Sequence, residues 1–156
     1  MKRKPQIAVI GDSNPSLEVV HWAEEVGRLV AQNEGVIICG GLSGVMAAAA
    51  RGAAQAGGLT IGILPSYDAT TANDSIGVTI ATGLGHARNA LIVSSGDAVI
   101  ALPGSYGTLS EVALALTLGK PVISVNAWAD VRGVEATDSP VAAVALAFEA
   151  AHRIQH

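Results

Sequence analysis

Short apolar runs alternate along this chain with stretches of helical period. Gln6–Ile10, Val36–Cys39, Thr60–Leu64, Val78–Ala81, Ala98–Leu102 and Val122–Val125 read as strands. Most are apolar at nearly every position, the pattern of strands covered on both faces. Between the first two lies "NPSLEVVHWAEEVGRLVAQNEG", with Leu17, Val20, Ala23, Gly27 and Val30 at helical spacing. Asn14 or Ser16 serves as its cap, and Gly35 ends it. Val45–Ala56 is an alanine-rich helix stopped by Gly57 and Gly58. Gly85–Ser95 contains a helix, Thr108–Leu118 is another, and Pro140–His152 closes the chain. Pro65–Gly77 and Asn126–Ser139 carry no period. The former is long for a connection in a compact domain, which marks it as a lid or edge loop. Strands alternating with helices predict an α/β fold. It is a doubly wound, Rossmann-like parallel sheet of about six or seven strands with helices on both faces. Residues 1–156 form one domain.

Composition narrows the chemistry. Half of the residues are hydrophobic but only 3% are aromatic, so the core is built from Ala, Val, Ile and Leu. The net charge is −4, from 9 basic and 13 acidic residues, and the one basic cluster, Lys2-Arg3-Lys4, reads as a solvated tail. No nucleic-acid surface is expected. The single cysteine, Cys39, lies inside the apolar run VIIC and reads as packing in a reducing, cytoplasmic compartment. No run has the length of a membrane span, and the start of the chain does not read as a signal peptide. The histidines His21, His86, His152 and His156 share no ligand spacing with one another or with Cys39, so no directly ligated metal is expected. No G-x-S-x-G elbow supports a serine hydrolase. Lys2, Lys4 and Lys120 offer no host for a pyridoxal Schiff base, Lys120 reading as a charge at a helix C-terminus.

Three strand-to-helix turns are rich in glycine: "GDSNPS" at 11–16, "GGLSG" at 40–44 and "PGSYGT" at 103–108. In a doubly wound sheet all three fall at the carboxyl edge, where ligands bind. Glycine lets backbone approach a ligand, and the following helix offers unpaired N–H donors with a partial positive charge. A phosphorylated small molecule fits that edge. The dinucleotide fingerprint G-x-G-x-x-G and the P-loop are both missing. In "TGLGHARN" (82–89), Arg88 opens an apolar helix and must meet solvent, a carboxylate or a ligand; its planar fork suits phosphate. Asn89 is a support for that loop, and His86 reads as solvated. Thr108 and Glu111 have capping-box spacing.

"CGGLSGVMAAAARGAAQAGGLTIGILP" (39–65) and "TGLGHARNALIVSSGDAVIALPGSYGTLSEVALALTLGKPV" (82–122) resemble the superfamily of LONELY GUY-type proteins, once labelled "lysine decarboxylase-like". "GLGHARN" and "ILPSYDATTAND" are most similar to its molybdenum cofactor carrier branch. That branch binds a pyranopterin with a terminal phosphate as cargo and is homo-oligomeric, as dimer or tetramer. The hydrolase branch cleaves nucleoside 5′-monophosphates with P-G-G-x-G-T-x-x-E and an upstream Arg. Pro103, Gly104, Gly107, Thr108 and Glu111 match that motif, and Arg88 matches the Arg. Ser105 and Ser110 depart from it. With the glycine loops, the resemblance implies a ligand set of Gly11, Ser13, Asn14, Gly40, Gly41, Ser43, Gly44, Arg88, Asn89, Gly104, Ser105, Tyr106, Gly107, Thr108 and Glu111. Arg88 and Glu111 are catalytic only if the protein is a hydrolase. Three functions stay open: a carrier, a phosphoribohydrolase, and a nucleotide sensor without chemistry. The small-residue helix "GVMAAAARGAAQAG" offers close packing inside the domain or between subunits.

Overall fold

The computed structural model describes residues 2–154. Seven parallel strands form one sheet: β1 (Gln6–Ile10), β2 (Val36–Cys39), β3 (Leu59–Leu64), β4 (Val78–Ala81), β5 (Ala98–Ala101), β6 (Val122–Val125) and β7 (Val134–Thr137). Their order is β4-β3-β2-β1-β5-β6-β7. Winding runs outward from β1 to β4, then restarts at β5 on the other side of β1, so β1 and β5 flank the reversal point. Helices α1 (Leu17–Gln32), α2 (Val45–Gln55) and α5 (Pro140–Ile154) cover one face; α3 (Asn89–Ser95) and α4 (Tyr106–Thr117) cover the other. Alternation along β1 divides the core accordingly. Ile7 and Val9 join α1 and α2, while Ala8 and Ile10 join α3 and α4.

α1 begins where a serine can cap it: the Ser16 hydroxyl accepts from Val19 N–H. The alanine-rich α2 packs closely within the chain. A Cβ on Gly27 of α1 would stand 1.9 Å from Ala49 O, and one on Gly52 of α2 would stand 2.0 Å from Glu24 O. The two helices touch backbone to backbone, which only glycine allows. The stripe expected to serve either the domain or a subunit contact therefore serves the domain at these positions.

Three expectations need correction and a fourth is narrowed. The polar stretch Asn126–Ser139 contains β7, an exposed edge strand whose sequence VEAT lacks an apolar run. Arg3 is not a free tail residue. Its guanidinium grips Asp97 through two hydrogen bonds, 2.7 and 3.1 Å long, and Gln6 N–H donates to the same carboxylate at 2.8 Å. Burial pushes the Asp97 carboxyl up, but the Arg3 and Gln6 hydrogen bonds, with the charges of Arg3 and Lys120, hold it below its ordinary value. Lys120 bonds the carbonyls of Ser94 and Gly96, at the end of α3 rather than of its own helix. The Pro65–Gly77 stretch, expected as a lid or edge loop, is tied to its neighbours at both ends. Asn73 N–H donates to Gly41 O, and its side-chain amide donates to Gly41 O and Leu42 O. Gly85 N–H donates to Pro65 O and Gly83 N–H to Ser66 O, which ties the other end.

Candidate functional site

A cleft of about 200 Å³ opens at the carboxyl ends of β1 and β2 and the start of α4. Of the sequence-derived ligand set, Gly11, Ser13, Gly40, Arg88, Asn89, Ser105, Gly107, Thr108 and Glu111 line it. Asp12, Leu42, Met46, His86 and Ile92 line it as well and were absent from that set. Asp12 and His86 each sit inside a loop that the sequence singles out, so loop membership was the available signal. Asn14, Gly41, Ser43, Gly44, Gly104 and Tyr106 do not line the cleft. Ser43 faces a neighbouring cavity, and Tyr106 is almost fully exposed. Gly44, in the left-handed region at φ 69°, and Gly104 serve the loops: a Cβ would meet Asp12 O at 2.4 Å and Thr108 Oγ1 at 2.1 Å, respectively. A larger hollow, about 320 Å³, lies between α1 and α2. Of its ionic side chains, Glu25 pairs with Arg28 within the lining and Glu24 pairs with Arg51 beside it, while His21 also lines it.

Arg88 dominates the cleft. Its side chain reaches from the turn before α3 to β2, where Gly40 has no side chain to block it; a Cβ there would stand 2.6 Å from Nη2. Nη2 donates to Gly40 O at 3.4 Å and Nη1 donates to the Asn89 side-chain oxygen. Nε is buried without a partner. The residue is 8% exposed, and among the described residues no carboxylate lies within ion-pair distance of it. Burial lowers its pKa, against the raising charges of Glu111 and Cys39. A guanidinium held this way has hydrogen bonds to neutral oxygens and no counter-charge in contact.

Glu111 stands across the cleft on α4, also 8% exposed. It makes no hydrogen bond among the described residues. Burial raises its carboxyl to about 7, with the Arg88 charge acting in the opposite direction. The capping-box reading of this helix is overturned. α4 begins at Tyr106 with Ser105 as its N-cap, and no side chain caps it. Thr108 therefore falls in the first turn and Glu111 in the second, facing inward. The first intrahelical donor is Leu109 N–H, to Ser105 O at 2.9 Å. The N–H groups of Tyr106, Gly107 and Thr108 have no partner among the described residues, so three donors and the positive end of the helix dipole are open to an anion. Cys39, at the end of β2, is buried and its thiol is pushed up to about 11 by burial, so it packs rather than reacts.

Comparison with known proteins places this geometry. A family model described as the SLOG cluster4 family matches residues 4–152. An uncharacterized protein of Archaeoglobus fulgidus is 45% identical over 139 residues, 89% of this chain and 91% of that one. The cytokinin riboside 5′-monophosphate phosphoribohydrolase of Mycobacterium tuberculosis is 31% identical, over 83% of this chain and 75% of its own. Among solved structures, the molybdenum cofactor binding protein of Rippkaea orientalis superimposes with a TM-score of 0.91 at 40% identity, covering 96% of this chain and 98% of that one. The molybdenum cofactor carrier protein of Chlamydomonas reinhardtii gives 0.87 at 34%, over 95% and 98%.

Proposed function

The chain belongs to the SLOG cluster4 family, and from that premise we propose that it carries a phosphorylated small molecule, the molybdenum cofactor. The observation that carries this reading is the unpaired, buried Arg88 guanidinium in one cleft with the free α4 amides. The terminal phosphate accepts from the N–H groups of Gly107 and Thr108, the two free amides whose residues line the cleft, and supplies the counter-charge that Arg88 lacks. Likeness to the Rippkaea orientalis and Chlamydomonas reinhardtii proteins over nearly the full length of each supports the pterin as the rest of the cargo. The described residues include no cluster of three His, Cys, Asp or Glu side chains able to hold a metal ion. In this reading the molybdenum arrives on its pterin. No helix of the described residues is long and apolar enough to cross a membrane.

One observation favours a second reading, phosphoribohydrolysis. Glu111 is a buried carboxyl poised near neutrality beside the anion site, where it can hold or release a proton during cleavage of an N-glycosidic bond. The experiment that separates the two incubates the protein with molybdenum cofactor and, separately, with a panel of nucleoside 5′-monophosphates. Carriage predicts cofactor activity co-eluting with the protein in gel filtration and no free base from any nucleotide. Base release abolished in Glu111→Gln would replace carriage with hydrolysis.

A further inference from the structure

The layer formed by α3 and α4 has an outer surface without charge. Residues 89–95 and 106–119 include one charged side chain, Glu111, and it faces the cleft. The helices of the opposite layer differ. They bear the paired Glu24 and Arg51, Glu25 and Arg28, and Glu149 and Arg153. On the outside of α3 and α4 stand Leu91, Leu109, Leu114 and Leu118, 37–52% exposed. Inside, α4 buries Val112 and Ala115, so this helix is apolar nearly all round, the pattern of a helix covered on both sides. Tyr106, almost fully exposed, lies on the stripe of Leu109 and Ala113 and offers an aromatic anchor.

Beside this raised layer the sheet is largely bare. α3 packs on β1 and β2, and α4 on β5 and β6. β3 and β4 turn apolar side chains to solvent on the same face. Ile61 and Ile63 belong to the α3–α4 side of the core, and the register pairs Ile61 with Val78 and Ile63 with Ile80, so all four share that face. Leu59, two positions before Ile61, shares it as well. Leu59, Val78 and Ile80 are 44–47% exposed. Residues 59–64 and 76–84 contain no charged residue.

We infer that a second copy of this chain covers this surface, in a two-fold pairing that seats the α3–α4 ridge of each protomer on the bare β3–β4 shelf of the other. Shape selects that partner. A helix stands about 10 Å above the sheet it covers, so ridge and shelf form a step. A two-fold rotation sets each step into its counterpart. Charge selects it too, since a surface without charges meets its own copy with no like-charge repulsion. The area suffices. With Leu84, the exposed parts of these aliphatic side chains amount to roughly 700 Å², against about 800 Å² per partner in a standard interface. A monomer rarely leaves so large an apolar patch open to water. The pairing goes beyond the carrier reading and does not rest on it. Arg88 precedes α3 and Thr108 opens α4, so the interface borders the anion cleft while using none of the residues that line it.

Sedimentation of the full chain tests this, with single charges placed at exposed positions. Ile80→Asp marks the shelf, Leu91→Asp the ridge, and Leu17→Asp, on α1, is the control; circular dichroism and thermal unfolding establish that each is folded. The wild type is expected as a two-chain species, or an even multiple of it, at tens of micromolar. Ile80→Asp and Leu91→Asp should each raise the dimer dissociation constant at least about 100-fold, and Leu17→Asp should leave it within about threefold. Mixing Ile80→Asp with Leu91→Lys should recover association at least about tenfold over either alone. One ridge-on-shelf junction is then native, and the other brings opposite charges together. A wild type that sediments as a single chain overturns the inference. So does an assembly that survives both Ile80→Asp and Leu91→Asp. Loss of association in both variants with no recovery on mixing overturns the ridge-on-shelf arrangement.

Discussion

Replacing Glu111 by Gln should stabilise this protein, and do so only above acidic pH. The carboxyl is buried among α3, α4 and the ends of β1 and β2 and receives no hydrogen bond among the described residues. Arg88 is the nearest opposing charge named for it, and Cys39, Asp12 and His86 share its surroundings. Burial raises its pKa from the ordinary 4.5 to about 7. Between those two values the folded chain holds a proton that the unfolded chain has released. Stability therefore falls as pH rises through that window, and is level above it. At about 1.36 kcal/mol for each pKa unit, the ionised carboxylate costs the folded state roughly 3 kcal/mol at pH 8. The amide of the Glu111→Gln side chain carries no such charge. Urea denaturation in phosphate-free buffer, followed by fluorescence and circular dichroism together to test two-state behaviour, measures the difference. Glu111→Gln and wild type should be nearly equal at pH 4, with the variant gaining progressively to about 3 kcal/mol by pH 8. A thermal midpoint raised by roughly 6–12 °C at pH 8 is the corresponding shift for a domain of this size. A difference that stays constant with pH, or a wild type that is the more stable at pH 8, would refute the account of Glu111 as a buried carboxylate without a hydrogen-bond partner.

Other outcomes follow from the same geometry. Arg88→Met should lower the affinity for inorganic phosphate at least ~10-fold, about 1.4 kcal/mol, by removing the guanidinium from the cleft; calorimetry on protein shown by circular dichroism to be folded checks it, and unchanged affinity would remove Arg88 from the site. Gly52→Ala should destabilise by about 1–3 kcal/mol, because the added methyl meets Glu24 O and must push α1 away from α2; an unchanged denaturation midpoint would contradict the backbone contact. Asp97→Asn should lose about 1–3 kcal/mol at pH 7 by weakening the grip on Arg3 and Gln6. The folded Asp97 pKa is depressed, so the wild-type advantage should shrink as pH falls through and below the ordinary carboxylate range; a pH-independent difference would count against the ion pair as its source.

The sequence by itself determined the layers of this fold. The bounds of β1, β2, β4 and β6 were legible because each is a short apolar or β-branched run closed by Gly, Pro or a polar turn. The seventh strand was not legible. VEAT is short and half exposed, and it becomes a strand only because β6 offers an open edge for it to pair with. The sequence also marked the three glycine loops and Arg88, since their residue types have few uses at the end of a strand. Tertiary structure decided what each of them does. Gly40 and Arg88 are 48 residues apart, and one must lack a side chain for the other to lie where it does. No local pattern records that dependence. The Thr108–Glu111 spacing belongs to a helix but not to its cap. Local sequence sets the period of α4 but not its first residue, which here lies two positions earlier and turns Glu111 inward. The clasp of Asn73 on Gly41 and Leu42 likewise joins segments some thirty residues apart, and it ties the lid-or-edge-loop segment to the second glycine loop. Periodicity is a property of neighbours in sequence, so it survives without the fold. The raised pKa of Glu111 and the missing counter-charge of Arg88 depend on which distant groups exclude water from one another, and only the packed chain brings those groups together.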